Sequence, residues 1–225
     1  MITHLACIMD GNRRWAKAQG QLPWNGHRAG VKTVEMVIDF CLEYNIPFLS
    51  LYTFSLENFT RTQEEQSYLF DLVIQQAEKY IPEFINKDVS IRFIGDISLF
   101  PKSVQQVCKR VEEQTATGKK LQVNFLFGYG ARKEIFTASK KFADYLAVGN
   151  SPTQQLFESC LWTSATPDPD LIIRTGGVRR LSNFLLYQAA YAEIRFLDTL
   201  WPDLTVSEIL DEVMSAVHAQ KNIGK

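Results

Sequence analysis

The chain has 225 residues, 46% of them hydrophobic and 22% charged, which suits one well-filled core and excludes disordered, collagen-like and fibrous classes. A formal net charge of −1 argues against a protein that neutralises nucleic acid by bulk charge, yet leaves room for a local cationic pocket. Four scattered cysteines, Cys7, Cys41, Cys108 and Cys160, form no Cys-x-x-Cys pair, which speaks against a zinc site or disulfide scaffold and predicts reduced, mostly buried thiols.

Taken in chain order, short apolar runs alternate with longer amphipathic ones. Leu5–Met9 reads as a buried strand, and His27–Glu43 as a helix with Val31, Val34, Val37, Ile38 and Leu42 on one face. Phe48–Phe54 is a second strand. Gln63–Ile85 is a long helix repeating apolar residues from Leu69 to Phe84, and Val89–Ile94 a third strand. Pro101–Thr115 reads as a helix with Pro101 in its first turn, followed by a strand over Leu121–Phe127 and a helix over Ala131–Ala147. Leu171–Ile173 and a short Ile194–Phe196 are the last strands, and Val206–His218 the last helix. Few-charge runs of this length suit parallel strands covered on both faces. The prediction is an α/β fold, a single domain over 1–225 with a central, mostly parallel sheet flanked by helices. The loops Gly149–Pro152 and Thr163–Pro169 are too short to be domain linkers. No basic-then-apolar leader begins the sequence and no apolar run approaches a membrane span, so the cytoplasm is the expected location.

In such a sheet ligands collect beyond the carboxyl ends of the strands, so a candidate motif should follow a predicted strand. Met9-Asp10-Gly11-Asn12-Arg13-Arg14-Trp15 does. Asp10 could hold a divalent cation, Gly11 permits a tight turn, and Arg13 and Arg14 suit phosphate oxygens. The ordinary alternative is an Asp-Gly turn with two solvated arginines. Ser55-Leu56-Glu57-Asn58-Phe59-Thr60-Arg61 follows the second strand and offers two neutral polar groups and a guanidinium, although Ser55 or Asn58 could simply cap a helix. Arg174–Asn183 places three arginines, paired glycines and two hydroxyls after an apolar strand. Glycines let amides approach an anion and guanidinium forks grip phosphate, but the spacing is not that of a Walker loop. His27 opens a helix and could donate to phosphate, and Glu193 is a lone carboxylate before an apolar run; singly, both are more often structural. With Arg28, Arg132 and Arg179 added, arginines concentrate near predicted strand ends in a nearly neutral chain. That pattern predicts a focused pocket for a small polyanion. It also lacks the aromatic–basic interleaving of single-stranded nucleic-acid binders.

Met9–Trp15, Gly26–Gly30, Ser55–Arg61, Arg92–Asp96, Arg174–Asn183 and Tyr191–Glu193 together resemble, in order, the signature segments of the cis-prenyltransferases. Leu181–Glu193 followed by Leu200-Trp-Pro-Asp203 is similar to the bacterial undecaprenyl diphosphate synthases within that family. The likeness covers nearly the whole chain. It implies a homodimer, a hydrophobic tunnel, Mg²⁺, and repeated cis addition of isopentenyl diphosphate to farnesyl diphosphate or another allylic diphosphate. It leaves peripheral membrane contact through the lipid product open. Carried over by position, Asp10 and Glu193 are the metal carboxylates. Gly11, Asn12, Arg13, Arg14 and His27 form the allylic diphosphate cradle with Trp15 nearby. Asp10 and Asn58 are the catalytic residues. Ser55, Leu56, Glu57, Phe59 and Arg61 bind substrate, with Ser55 and Arg61 beside Asn58 at the point of proton removal, and Arg174, Arg180, Leu181 and Ser182 form the isopentenyl diphosphate site. The apolar face of Gln63–Ile85 is the expected tunnel wall.

Some positions depart from the family pattern. Arg13 stands where Gly is common, Pro23 or Trp24 where Arg is common, Thr53 for a small Ala, and Arg179 where His is frequent; the basic ending is reduced to His218–Lys225. Among rivals, a trans-prenyltransferase would need Asp-Asp-x-x-Asp clusters, which are missing, and a non-catalytic partner subunit would lose Asp10 or the late arginines, which are kept. A phosphate-ester hydrolase would need a nucleophile or a denser metal cluster.

Overall fold

The computed structural model describes residues 2–219. Six strands, β1 (His4–Ile8), β2 (Phe48–Ser55), β3 (Val89–Ile94), β4 (Leu121–Tyr129), β5 (Leu171–Arg174) and β6 (Glu193–Phe196), form one sheet in the order β3-β4-β2-β1-β5-β6. Every pairing is parallel. The seven α-helices among the described residues are α1 (Asn12–Ala18), α2 (Asn25–Glu43), α3 (Gln63–Asn86), α4 (Lys102–Thr115), α5 (Ala131–Ala147), α6 (Gln154–Glu158) and α7 (Val206–His218).

Alternation along the strands separates two cores. Leu5 and Cys7 of β1 face one side with Leu49, Leu51, Ile91 and Val123, covered by α2, α3, α4 and α7 through Val37, Ile81, Val111 and Val213. Ala6 and Ile8 face the other side, with Leu126, Tyr129, Ile172 and Phe184. Strands buried on both faces explain why their sequences read as continuous apolar runs. All four cysteines are buried and free, and burial alone pushes the Cys7 thiol up to about 12.

One expectation is corrected at an element end, and two short helices go beyond the elements expected. Pro101 is the residue capping α4 rather than part of its first turn. α6 lies just beyond the Gly149–Pro152 loop, its start fixed by Thr153 Oγ1 accepting the Leu156 amide at 3.1 Å, and five residues carry too little periodicity to show in sequence. α1 begins within the first motif at Asn12, and its seven residues are too few for a periodic pattern to show.

At the amino end of the sheet, His4 is buried with Nδ1 on the Pro167 carbonyl at 2.7 Å and Nε2 on Ser50 Oγ at 2.8 Å. Desolvation lowers its pKa to about 4, and the same cause, aided by Arg61 and Arg13, lowers His27 to about 3. The unfolded chain therefore binds more protons than the folded one below about pH 6.5, and stability falls with pH from there to about pH 4. Thermal melts across that interval are expected to show a smaller loss for His4→Gln than for the wild type; an unchanged pH slope would remove His4 from the linkage.

Candidate active site

β1 is the turning point of the strand order, with β2 on one side and β5 on the other, and crevices of this kind open at the carboxyl ends of such strands. Asp10 lies just beyond β1. Its main chain is pinned twice: the amide donates to Thr175 Oγ1 at 3.1 Å, and the Thr175 hydroxyl donates to the Asp10 carbonyl at 2.7 Å. The same carbonyl accepts the Trp201 amide at 3.0 Å. Gly11 then turns with φ 111°, a left-handed conformation costly to other residues, and starts α1.

The Asp10 carboxylate meets two arginines from opposite ends of the chain. Arg174 Nη2, at the end of β5, donates to Oδ2 at 2.7 Å, and Arg14 Nη2 contacts Oδ1 at 3.2 Å. Arg174 is 4% exposed; its Nη1 donates to Ser182 Oγ at 2.8 Å and to the Arg180 carbonyl, while its Nε is buried without a partner. Arg180 Nε reaches the same Ser182 hydroxyl at 3.2 Å, so one serine aligns both guanidiniums. Ser182, Asn183 and Leu185 all have positive φ (50°, 64° and 42°), strain concentrated in the segment that presents these arginines. Asn183 holds that segment in place, accepting the Arg132 amide at 2.9 Å and donating to Glu57 Oε1 at 3.0 Å.

The Ser55–Arg61 segment supplies the other wall. Asn58 Oδ1 accepts the Ser55 amide at 3.1 Å, so the capping role that the sequence allowed is realised and only the amide NH₂ of Asn58 remains for a ligand. Arg61 pairs with Glu65 at 3.2 Å. His27 faces the same group, uncharged and with its Nε2 buried and unpartnered; Asn12 Oδ1 is likewise orphaned. Buried polar atoms left open in this way call for a bound group.

Two cavities meet here. A polar one of about 520 Å³ is lined by Asp10, Ser55, Glu57, Asn58, Arg61, Arg174, Arg180 and Ser182. An apolar one of about 240 Å³ runs between the sheet and helices α2 and α3, past Val34, Ile38, Leu72, Tyr80, Phe93 and Phe125. They share Met9, Tyr52, Asn58 and Arg61, so a charged mouth opens onto a hydrocarbon-lined cleft. The apolar face of α3 lines that cleft through Leu69, Leu72, Val73, Ala77 and Tyr80.

Other residues singled out in the sequence line neither cavity. Phe59 packs at 4.9 Å on Phe54 and 5.1 Å on Phe100, within an aromatic cluster. Trp15 donates to Asp203 at 2.7 Å, and Leu181 packs into the second core. Leu56 opens the 3-10 turn behind Glu57. Arg13 pairs with Glu65 at 3.7 Å. Glu193 is not brought to Asp10: it registers with Leu171 at the amino end of β5, three rungs before Arg174, and pairs with Arg195 at 2.9 Å. The shortened basic ending lies largely in residues 220–225, outside those described.

Sequence reasoning gave no role to Glu65, counted Thr175 only as one of two hydroxyls in the late loop, and took Asp203 only as part of the resemblance. The four-residue spacing of Arg61 and Glu65 was a usable signal for a helical ion pair, whereas the Thr175 clasp and the Asp203 contact depend on residues more than 160 positions apart.

Comparison with known proteins agrees with this geometry. The family model described as "Putative undecaprenyl diphosphate synthase" matches residues 8–224. An isoprenyl transferase of Heliobacterium mobile is 39% identical, over 98% of this chain and 86% of its own. A ditrans,polycis-undecaprenyl-diphosphate synthase ((2E,6E)-farnesyl-diphosphate specific) of Xanthomonas oryzae pv. oryzae is 40% identical, over 89% of this chain and 79% of its own. The crystal structure of lavandulyl diphosphate synthase from Lavandula x intermedia, in complex with dimethylallyl diphosphate, superposes with a TM-score of 0.95 at 29% identity, covering 100% of this chain and 98% of that one. A sheet end that gathers arginines around Asp10 over an apolar cleft, on a chain matched nearly end to end, places this protein among the prenyltransferases of the undecaprenyl diphosphate synthase family.

Proposed function

We propose that the chain condenses isopentenyl diphosphate repeatedly onto an allylic diphosphate, farnesyl diphosphate being the expected primer, to give a polyprenyl diphosphate of the undecaprenyl class that serves as a cell-wall lipid carrier. The observation that carries this reading is the junction of the charged mouth with the apolar cleft, the shape of an amphiphile with a phosphate head and a hydrocarbon tail. A homodimer working in the cytoplasm, with peripheral membrane contact through its product, belongs to the same reading; no described helix is long and apolar enough to cross a membrane.

Arg14, Arg61, His27 and the start of α1 hold the allylic diphosphate, while Arg174, Arg180 and Ser182 hold isopentenyl diphosphate. Charge grows on the departing diphosphate as the allylic C–O bond ionises, and preorganised donors stabilise it most at that point. The donor set also suits Mg²⁺, which is commonly held by one or two carboxylates plus substrate phosphates. Of the two carboxylates lining this mouth, Asp10 is the one set between guanidiniums, whereas Glu57 accepts the Asn183 side-chain amide at 3.0 Å. When bound, the ion supplies charge stabilisation to the leaving phosphate oxygens. Glu193 enters that coordination only if a second copy of the chain brings it there, since its own strand holds it elsewhere. Asn58, its carbonyl oxygen already engaged, orients substrate through its NH₂, and the proton lost after condensation passes to a diphosphate oxygen or to Asp10.

Purified protein given Mg²⁺, farnesyl diphosphate and labelled isopentenyl diphosphate is expected to form polyprenyl diphosphates separable by chromatography; no labelled lipid would sink the reading. Each added isoprene gains about 0.8 kcal/mol per buried CH₂, so growth is favoured while the cleft has room. Phe93 and Phe125 stack at 5.6 Å on its sheet wall. Phe125→Ala is expected to shift products by at least about one isoprene unit, because opening a core cavity leaves space that apolar groups fill. An unchanged product ladder would remove this wall from the control of length.

A further inference from the structure

Behind the mouth, on the first turn of α3, lies a carboxylate that neither cavity exposes. Glu65 is 4% exposed, and its amide donates to Thr62 Oγ1 at 3.3 Å, which fixes the helix start. Its Oε1 is shared between Arg61 Nη1 at 3.2 Å and Arg13 Nε at 3.7 Å, yet has no well-aligned hydrogen bond from either. Charge-assisted N–H···O bonds normally close to about 2.7–2.9 Å, so these are loose Coulombic pairs, and neither guanidinium is fully engaged. Both arginines also act on His27, which stays neutral beside them. The group therefore holds two cations, one anion and one neutral imidazole, an excess of one positive charge next to the mouth that Arg61 lines.

Resting on the substrate reading above, we propose that Glu65 is the positioning residue of the allylic diphosphate clamp. One buried carboxylate lets Arg61 and Arg13 stand side by side without mutual repulsion driving them apart, and it aims Arg61 at the junction of the two cavities. Glu65 touches no substrate and acts through the guanidiniums. Arg13 extends the clamp along α1, its side chain half-exposed and tethered at one end by the same oxygen. The diphosphate then takes the N–H groups that Glu65 leaves free.

The sign of one substitution tests this. Coulomb's law alone says that removing a negative charge beside an anion site tightens anion binding. Positioning says the opposite. Calorimetric titration of the full chain with inorganic pyrophosphate is expected to show Glu65→Gln binding about tenfold more weakly than wild type, a difference of about 1.4 kcal/mol. In an Arg61→Ala background the same substitution is expected to change binding by less than about twofold, because the residue it works through is gone. Steady-state kinetics of Glu65→Gln should raise KM for the allylic diphosphate and leave that for isopentenyl diphosphate unchanged. Glu65→Asp, which restores the charge one methylene further back, should recover part of the pyrophosphate affinity, and its folding keeps the test valid should the glutamine variant unfold. Tighter pyrophosphate binding by Glu65→Gln, additive effects with Arg61→Ala, or an equal rise in both KM values would each overturn the assignment. A wild-type chain that binds no pyrophosphate and transfers no prenyl group would overturn the substrate reading and this role together, whereas sound wild-type behaviour with additive variants sinks the role of Glu65 alone.

Discussion

Asp10→Ala is expected to lower turnover by about 10³-fold or more while the chain still folds. The loss should be this large because one carboxylate serves two ends at once: it is an acidic group in the mouth suited to Mg²⁺, and it orients Arg174 and Arg14. Folding should survive because the contacts that pin this turn are made by the Asp10 main chain, to Thr175 and Trp201, and alanine keeps them. Arg174 loses a partner but retains the Arg180 carbonyl and Ser182, and the Asp10 side chain is 29% exposed, so water screens part of the uncompensated charge. Initial rates with the two diphosphates and Mg²⁺, read beside a thermal melt, separate the two effects. Turnover within about tenfold of wild type would remove the metal assignment, since the interactions invoked are worth several kcal/mol. Asp10→Asn keeps the shape and should be almost as inactive, for it still lacks the charge.

Gly26→Ala should be the most damaging single methyl in the cradle. A Cβ at Gly26 would stand 1.8 Å from the Asn12 carbonyl oxygen and 2.6 Å from its carbonyl carbon, both main-chain atoms that no rotamer change can move. α1 must shift bodily, taking Asn12, Arg13 and Arg14 with it. Overpacking of this kind costs about 3 kcal/mol or more when backbone has to give. For a chain of this size that corresponds to roughly 6–12 °C in melting temperature. Because the displaced helix carries the proposed allylic cradle, KM for the allylic substrate should rise more than KM for isopentenyl diphosphate. A variant with wild-type melting and kinetics would show that α1 can move freely, contrary to the packing described.

Much of the scaffold was legible because its signals are local. Apolar runs such as Leu121–Phe127 and Leu171–Ile173 mark strands buried on both sides, and the periodic face of α3 marks both a helix and the lining of the cleft. Motifs falling just after strands pointed to the correct sheet end, since a parallel sheet presents all its carboxyl ends on one edge. The contact of Phe59 with Phe100, and the hydrogen bond from Trp15 to Asp203, were not legible, because they join segments far apart in the sequence.

By itself the sequence determined the α/β alternation, the order of the anion-binding segments and the presence of an acid at position 10 among arginines. Only the tertiary structure decided which of those charges meet. Arg174 reaches Asp10 because β5 lies beside β1, while Glu193, also a carboxylate, begins the neighbouring strand at its far end and so stays away. The second guanidinium on Glu65 also had to await folding, since Arg13 of α1 reaches it from more than 50 positions away. Periodicity reports a residue's own environment, whereas an ion pair depends on the register of two segments that the chain brings together only on folding.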